Sequence, residues 1–542
     1  MKILKFIKIY RYHFLVLLAL ILFGGFLACL LGQDMNGDLL NYHFYNGYAF
    51  LHQKTFYNIQ AAQLQGYGNP AIDALTYLLI THFPPVFVGM TLGAIQGLNI
   101  FLVFEISLII FKKYFKNHRL LFSLSLLTAL FSTFGAVSIS EMGGTMTDNI
   151  TSIFILTAFF LLLISLKKDL LKYSIILRRF SFMLCGVGAG LKMTNFVYVI
   201  ALLLASLVIE NGLTKRIKNL FYDILSIVSG ALIVSGYWCY EVWNHFHNPI
   251  FPYYNHLFNS PYFTKINFVD GRWFPKTILD KIFLPFKFVN YQSVASVVSF
   301  RDARFAILYS LIIIYILTKI ICALINKKIF TKKLNKMQLF FWIFIIASYI
   351  IWEIAFSAYR YLLVIELLVL IAIGDIIFSL IKYKAVSILF FTFVLLFITE
   401  YTVPMNWGRD NWQNFYFGPN LYQQFAGTNG TILMAKDWPM SFLIPYLPSH
   451  DRVIRIESNL TLPGYLTVKN KSAIDNSIVE QKNLHTKFFA IETNLDRSEQ
   501  IKALKLRGFS NGSCKHIITY VDIDSEASYK KHAYSLCRLI SS

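Results

Sequence analysis

The sequence predicts a polytopic α-helical membrane protein of about eleven spans, followed by a small C-terminal extracytoplasmic α/β domain. Three observations carry that expectation. Hydrophobic residues make up 56% of the 542-residue chain and charged residues only 15%, with a mean hydropathy of +0.54; a soluble protein of this size needs more polar surface to cover itself. Apolar runs close to the ~20 residues that cross ~30 Å of hydrocarbon recur through the first three quarters of the chain. Beyond about residue 404 the composition becomes globular, which divides the chain into a membrane part, 1–404, and a tail, 405–542.

The first apolar run, 12–31, is followed by no small-residue cleavage site and reads as a retained span. An outer loop, 33–70, comes next. The segment 71–83, ended by Pro84-Pro85, dips in without crossing. Further spans are expected at 86–111, 120–137 and 150–166, and 181–209 reads as a pair of short membrane helices turning near Lys192. A span at 221–240 precedes a second outer loop, 241–302, and the last four spans are 303–325, 340–352, 362–381 and 386–402.

The net charge of +21 raises the question of nucleic acid, but its distribution argues against that partner. Basic residues cluster in short connections: Lys2, Lys5, Lys8 and Arg11; Lys112, Lys113, Lys116 and Arg119; Lys167, Lys168, Lys172, Arg178 and Arg179. Further clusters are Lys215, Arg216 and Lys218; Lys327, Lys328, Lys332, Lys333 and Lys336; Lys382 and Lys384. Clusters beside span ends mark the cytoplasmic side. The N-terminus is then cytoplasmic and the tail extracytoplasmic.

In the tail, TILMAKD (431–437), DRVIRIES (451–458), FFAIET (488–493) and CKHIITYVD (514–522) read as strands, with PMSFLIPYLP, NSIVEQKNL and SEQIKALKLRG as helices or turns between them. That alternation predicts a mainly parallel sheet. Cys514 and Cys537 are the only cysteines in the polar tail, and an extracytoplasmic tail predicts a disulfide between them. Cys29, Cys185, Cys239 and Cys322 lie in or near spans as ordinary small hydrophobes.

A few polar residues interrupt the apolar pattern on the outer side. Asp34 and Asp38 lie in GQDMNGDLLNYHFYNGYAF (32–50), just past the first span. They are either caps for a helix beginning around Leu39 or a general base placed where a lipid-borne substrate meets water. Lys192, in GVGAGLKMTNF, is a snorkelling lysine or an anion ligand; at mid-membrane such a charge costs ~2.5–3.5 kcal/mol. Arg360, in WEIAFSAYRYLLVIELLVLIAIG, stands at an outer span end, where its planar fork suits phosphate oxygens; Glu353 and Glu366 offer a structural ion pair instead. Glu141 and Asp148, in SEMGGTMTDN, and His43 are candidate substrate or metal contacts, with Asp148 alternatively a helix cap. His245, His247 and His256 share an outer loop, but their spacing fits no standard zinc site.

Together these motifs resemble the GT-C superfamily of membrane glycosyltransferases, which includes protein O-mannosyltransferases and lipid A aminoarabinose transferases. DLLNYHFYNGYAFLHQ, carrying Asp38, is similar to the family's first outer loop, and GNPAIDALTYLL to its His-Pro-Pro-initiated helix, with Asn69-Pro70 in place of His-Pro-Pro. SEMGGTMTDNI resembles the second outer motif, GLKMT the Gly–Lys element, and YRYLLVIELLVL the Arg-Tyr span. The likeness covers about residues 8–400, and the NPIFPYYN loop looks like a bacterial subgroup rather than the mannosyltransferases.

The resemblance implies sugar transfer from a polyprenyl-phosphate-linked donor to a glycan, lipid or protein acceptor, on the extracytoplasmic face of a bacterial inner (plasma) membrane. In that reading Asp38, with Asp34 as second choice, deprotonates the acceptor hydroxyl. Arg360 and Lys192 hold the phosphate and offset the charge that builds on it, and in-line attack inverts the anomeric centre. Some relatives use a divalent metal, Mg or Mn; the sequence fixes none. Rival expectations are a lipid-linked glycan flippase or transporter, for which Glu105, Glu366 and Asp375 inside apolar runs speak, a glycan ligase or polymerase, and a non-enzymatic scaffold.

Overall fold

The computed structural model describes residues 2–325, 334–521 and 534–541. Lys327, Lys328, Lys332 and Lys333 of the expected basic connections, and Asp522 at the end of an expected strand, lie outside the described residues, as do the side chains of Lys2, Lys5 and Lys8. Among the described residues nine helices are long and apolar enough to cross a membrane: Arg11–Leu31, Pro85–Phe111, Asp148–Ser165, Lys168–Leu191, Leu213–Phe246, Arg304–Leu324, Lys336–Ala355, Tyr359–Leu380 and Lys384–Tyr401. A small sheet lies near the C-terminus. This is the architecture of a helical membrane protein. Two other expected crossings meet shorter helices, His118–Ser132 and Met193–Ser206. The 15 residues of the former rise only about 22 Å. The helix Ala71–His82, 12 residues long, is shorter still, at about 18 Å.

Local chemistry sets the helix ends. Asn117 caps His118–Ser132 by accepting from the amides of Arg119 and Leu120, and Asn335 and Gln338 form a reciprocal capping box at the start of Lys336–Ala355. The described chain divides into two compact units: residues 1–31, 89–234 and 270–407, and residues 32–88, 235–269 and 408–542.

In the first unit the helix Leu363–Leu380 is apolar apart from Glu366, Asp375 and Ser379 and buried along nearly its whole length, as expected of a bundle's central member. Phe111, Phe378 and Phe391 pack edge-to-face at one end of it. Elsewhere two helices meet backbone to backbone. A Cβ on Gly186 would come within 1.9 Å of the Ile227 carbonyl oxygen, and one on Gly230 within 1.9 Å of that of Met183. Glycine is required at both, as in close membrane-helix crossings, and this crossing seats the helix that delivers Lys192.

In the second unit the sheet consists of β1 (Gly430–Met434), β2 (Arg452–Arg455), β3 (Lys487–Thr493), β4 (Phe509–Ile517) and β5 (Tyr534–Ser541), in the order β2-β1-β3-β5-β4. β1 runs parallel to β2 and β3, whereas β5 is antiparallel to β3 and β4. The sheet is therefore mixed rather than mainly parallel. The reason is β5, which the sequence reading does not foresee and which enters between β3 and β4. Cys514 and Cys537 face each other across β4 and β5 and are joined by a disulfide.

The loop 33–70 is bound onto this sheet. Ile59 bridges Ile454 in parallel, its amide donating to the Val453 carbonyl at 2.9 Å and its carbonyl accepting from the Arg455 amide at 3.0 Å. The fully buried Arg455 guanidinium donates to the carbonyls of Ala61 at 3.0 Å and Trp438 at 3.1 Å, to Ser441 Oγ at 3.0 Å, and to the Lys436 carbonyl. Gln63 Nε2 donates to the Asp437 carbonyl at 2.8 Å, and Asn459 Oδ1 accepts from the Leu64 amide at 3.0 Å. Residues 408–542 thus share one unit with the loop that the sequence analysis assigned to the membrane part.

Candidate functional site

Four of the residues singled out from sequence come together in the first unit. Asp148 is the first residue of the helix Asp148–Ser165, where the helix dipole favours a carboxylate. Its Oδ2 lies 2.6 Å from Lys192 Nζ and 3.3 Å from Arg360 Nε. Lys192 interrupts two helices with an extended backbone; its amide and the Asn195 side chain both donate to the Gly188 carbonyl, closing the end of the helix before it. Arg360 lies in the 3₁₀ turn Tyr359–Leu362. That turn is anchored by the Tyr359 amide on the Ala295 carbonyl at 2.7 Å and by Trp352 Nε1 on the Ala358 carbonyl at 2.7 Å. Asp148, rather than Glu353 or Glu366, is therefore the carboxylate that Arg360 meets.

Aromatic faces enclose the cations. The Tyr361 ring centre is 5.4 Å from the Arg360 guanidinium and 5.9 Å from Lys192 Nζ, and the Trp407 ring is 5.8 Å from the guanidinium; such contacts attract a cation through the ring quadrupole. Tyr198 holds Tyr361 in place by donating to its carbonyl.

Glu141 completes the group. It lies in the buried connection between His118–Ser132 and Asp148–Ser165 and is 1% exposed, and neither carboxylate oxygen has a hydrogen-bond partner among the described residues. Burial, and then the nearby Asp148 carboxylate, push its pKa well above the ordinary range; Arg360 and Lys192 pull the other way, and Glu366 adds to the rise. Two further polar atoms here are buried without a hydrogen-bond partner among the described residues: Lys192 Nζ, whose contact with Asp148 is an ion pair outside hydrogen-bond geometry, and Trp407 Nε1. Unpaired buried donors and acceptors of this kind cost about 1–3 kcal/mol each.

The connection carrying Glu141 is clamped by a second buried cluster that sequence reasoning missed. Glu366 accepts from the amides of Ser138 at 2.8 Å and Val137 at 3.1 Å, and Asp302 from that of Ala136 at 3.2 Å. Arg304 pairs with Asp302 at 2.8 Å and donates to the Glu366 carbonyl at 3.1 Å. A Cβ on Gly135 would meet Glu366 Oε1 at 2.1 Å, so a larger residue there would push the carboxylate out of this position. The sequence did mark Glu366 as an acid inside an apolar run; its pairing with a stretch over 200 positions away was not legible.

The remaining predicted residues belong to the second unit. Asp34 accepts from Asn36 Nδ2 at 2.8 Å through both oxygens. Asn36, rather than either aspartate, caps the turn that begins at Leu39, accepting from the Leu39 amide at 2.8 Å. Asp38 is half-buried just before that turn, a π-type segment Leu39–His43, and makes no side-chain cap bond to it. His43 Nδ1 lies 2.6 Å from Asp73 Oδ1, and the other Asp73 oxygen accepts from Asn46 Nδ2 at 3.2 Å. Both members of the His43–Asp73 pair are buried. His245 stacks face to face on Phe56, with ring centres 3.6 Å apart, in keeping with a packing role.

Among the described residues no three His, Cys, Asp or Glu side chains are grouped to hold a metal ion. No known protein-family model matches the chain, and no curated protein matches it.

Proposed function

We propose that this protein transfers a sugar from a polyprenyl-phosphate-linked donor to an acceptor hydroxyl, at the extracytoplasmic face of a bacterial plasma membrane. One observation carries the reading: Lys192 and Arg360 converge on the single carboxylate of Asp148, and the nearby Trp407 indole N–H has no hydrogen-bond acceptor among the described residues. A phosphate offers acceptor oxygens to every one of these donors, and arginine and lysine bind it by fork and by point charge.

In the reaction the bond between the anomeric carbon and the phosphate oxygen breaks, and its electron pair stays on that oxygen. The acceptor oxygen bonds to the anomeric carbon from the opposite side and gives its proton to a base. The phosphate passes from a singly charged diester to a doubly charged monoester. Fixed cations aimed at that oxygen therefore bind the transition state more tightly than the substrate. The base the resemblance assigns is Asp38, tested on its own by Asp38→Asn.

The experiment is reconstitution of the full chain in liposomes with labelled polyprenyl-phosphate sugars, followed by analysis of lipid and glycan products. Consumption of a donor is expected, with a loss of about 10- to 100-fold in each of Lys192→Met and Arg360→Met, one charge-assisted hydrogen bond apiece. A wild-type protein that consumes none of a broad donor panel, and binds no polyprenyl phosphate, would overturn the reading.

A further inference from the structure

Glu141 is the acidic member of a site otherwise rich in donors, and its state decides what the site can hold. It is 1% exposed, and both of its oxygens lack hydrogen-bond partners among the described residues. Four charged groups act on it electrostatically: Asp148 at the start of its helix, Lys192 at the break between two helices, Arg360 in the 3₁₀ turn, and Glu366 on the central helix. Glu366 is committed to the amides of Val137 and Ser138, and Asp148 to the two cations.

A phosphate has only acceptor oxygens, so an ionised carboxylate beside it repels it, whereas a carboxylic acid donates to it. We infer that Glu141 works as a neutral acid that donates a hydrogen bond to the phosphate of the bound lipid-linked substrate. The inference rests on the sugar-transfer reading and deepens it by assigning the phosphate subsite a titratable donor. Burial beside a second carboxylate favours that neutral form, in agreement with the direction of its pKa. Counting Asp148, Lys192 and Arg360 with a neutral Glu141, the site carries one net positive charge, matched to the singly charged donor diester. A second consequence is that raising the pH through the Glu141 transition turns a donor into a like charge, so phosphate affinity falls.

The test measures binding of farnesyl phosphate to the full-length protein in nanodiscs, with farnesol and inorganic phosphate as companion ligands. Measurements run from pH 7.5 to 9.5, above the second ionisation of a phosphomonoester near pH 6. Farnesyl phosphate should bind and farnesol should not; competition by inorganic phosphate separates headgroup recognition from recognition that also needs the lipid. Wild-type affinity should fall by about tenfold as the pH passes through the Glu141 transition, the loss of one charge-assisted hydrogen bond, and the titration is extended in both directions until that step is spanned. Glu141→Gln, which keeps an N–H donor and cannot ionise, should bind at pH 7.5 within a few-fold of wild type and show a flat profile. Glu141→Ala should bind about tenfold more weakly at every pH. If Glu141→Gln retains the wild-type pH profile while Lys192→Met and Arg360→Met abolish binding, the role given to Glu141 is wrong and the phosphate site stands. If no variant, nor the wild type, distinguishes farnesyl phosphate from farnesol, the sugar-transfer reading itself fails.

Discussion

Arg304→Met removes the cation from the buried cluster that clamps residues 136–138 and leaves the Asp302 carboxylate in the protein interior. Both side chains of the pair are fully buried, and methionine retains most of the aliphatic bulk. The lost interactions are the ion pair at 2.8 Å, the hydrogen bond to the Glu366 carbonyl at 3.1 Å and a longer one to Ser132 at 3.4 Å. Breaking one side of a buried pair costs about 3–5 kcal/mol. Asp302 keeps two backbone donors, the amides of Ala136 at 3.2 Å and of residue 304 at 2.9 Å, which puts the expected loss near the lower end, at about 3 kcal/mol. Denaturant unfolding in detergent micelles, followed by tryptophan fluorescence, measures it. Adding Asp302→Asn to Arg304→Met removes the orphaned charge and should restore at least about half of the loss, a coupling that a double-mutant cycle isolates. A loss below about 1 kcal/mol in the single variant, or strict additivity in the double, would refute the idea that electrostatic pairing holds this connection.

Three further outcomes follow from the same geometry. Because the folded-state pKa of Glu141 is raised above the ordinary 4.5, the native state keeps a proton that the unfolded chain releases; wild-type stability should therefore fall as the pH rises from the unfolded carboxyl range through the folded one, and Glu141→Gln should flatten that slope in pH-dependent unfolding. Reduction of Cys514–Cys537, 23 positions apart, should lower the stability of the second unit by about 3 kcal/mol on the loop-entropy estimate, read as denaturant midpoints with and without reductant. Arg455→Met leaves the carbonyls of Ala61, Lys436 and Trp438 short of a buried donor and should cost about 3 kcal/mol, opening residues 57–65 to limited proteolysis; an unchanged cleavage pattern counts against the tail as the support of that loop.

Apolar runs and alternating tail segments are local properties of the chain, and the structure meets them with membrane-length helices and a small sheet. The position of an arginine at a span end, of a lysine between half-helices and of two acids beside a glycine pair could be read for the same reason. A charge in an apolar setting is costly wherever it finally packs, so its presence alone signals a partner. What could not be read is the partner. Arg360 meets Asp148, 212 positions away, although Glu353 and Glu366 are closer along the chain. Glu366 serves instead as an anchor for the amides of Val137 and Ser138.

By itself the sequence determined where the chain is apolar enough to be helical in lipid, which polar groups interrupt it, and that a mixed helix-and-strand tail follows, because burial periodicity and charge cost act residue by residue. Only the tertiary structure decided that Glu141 has no hydrogen-bond partner among the described residues, that β5 enters between β3 and β4 and turns the sheet mixed, and that the tail grips residues 57–65. Those outcomes depend on contacts between segments tens to hundreds of positions apart, whose geometry is set by close helix crossings such as that at Gly186 and Gly230 and by backbone hydrogen bonds that carry no side-chain signature.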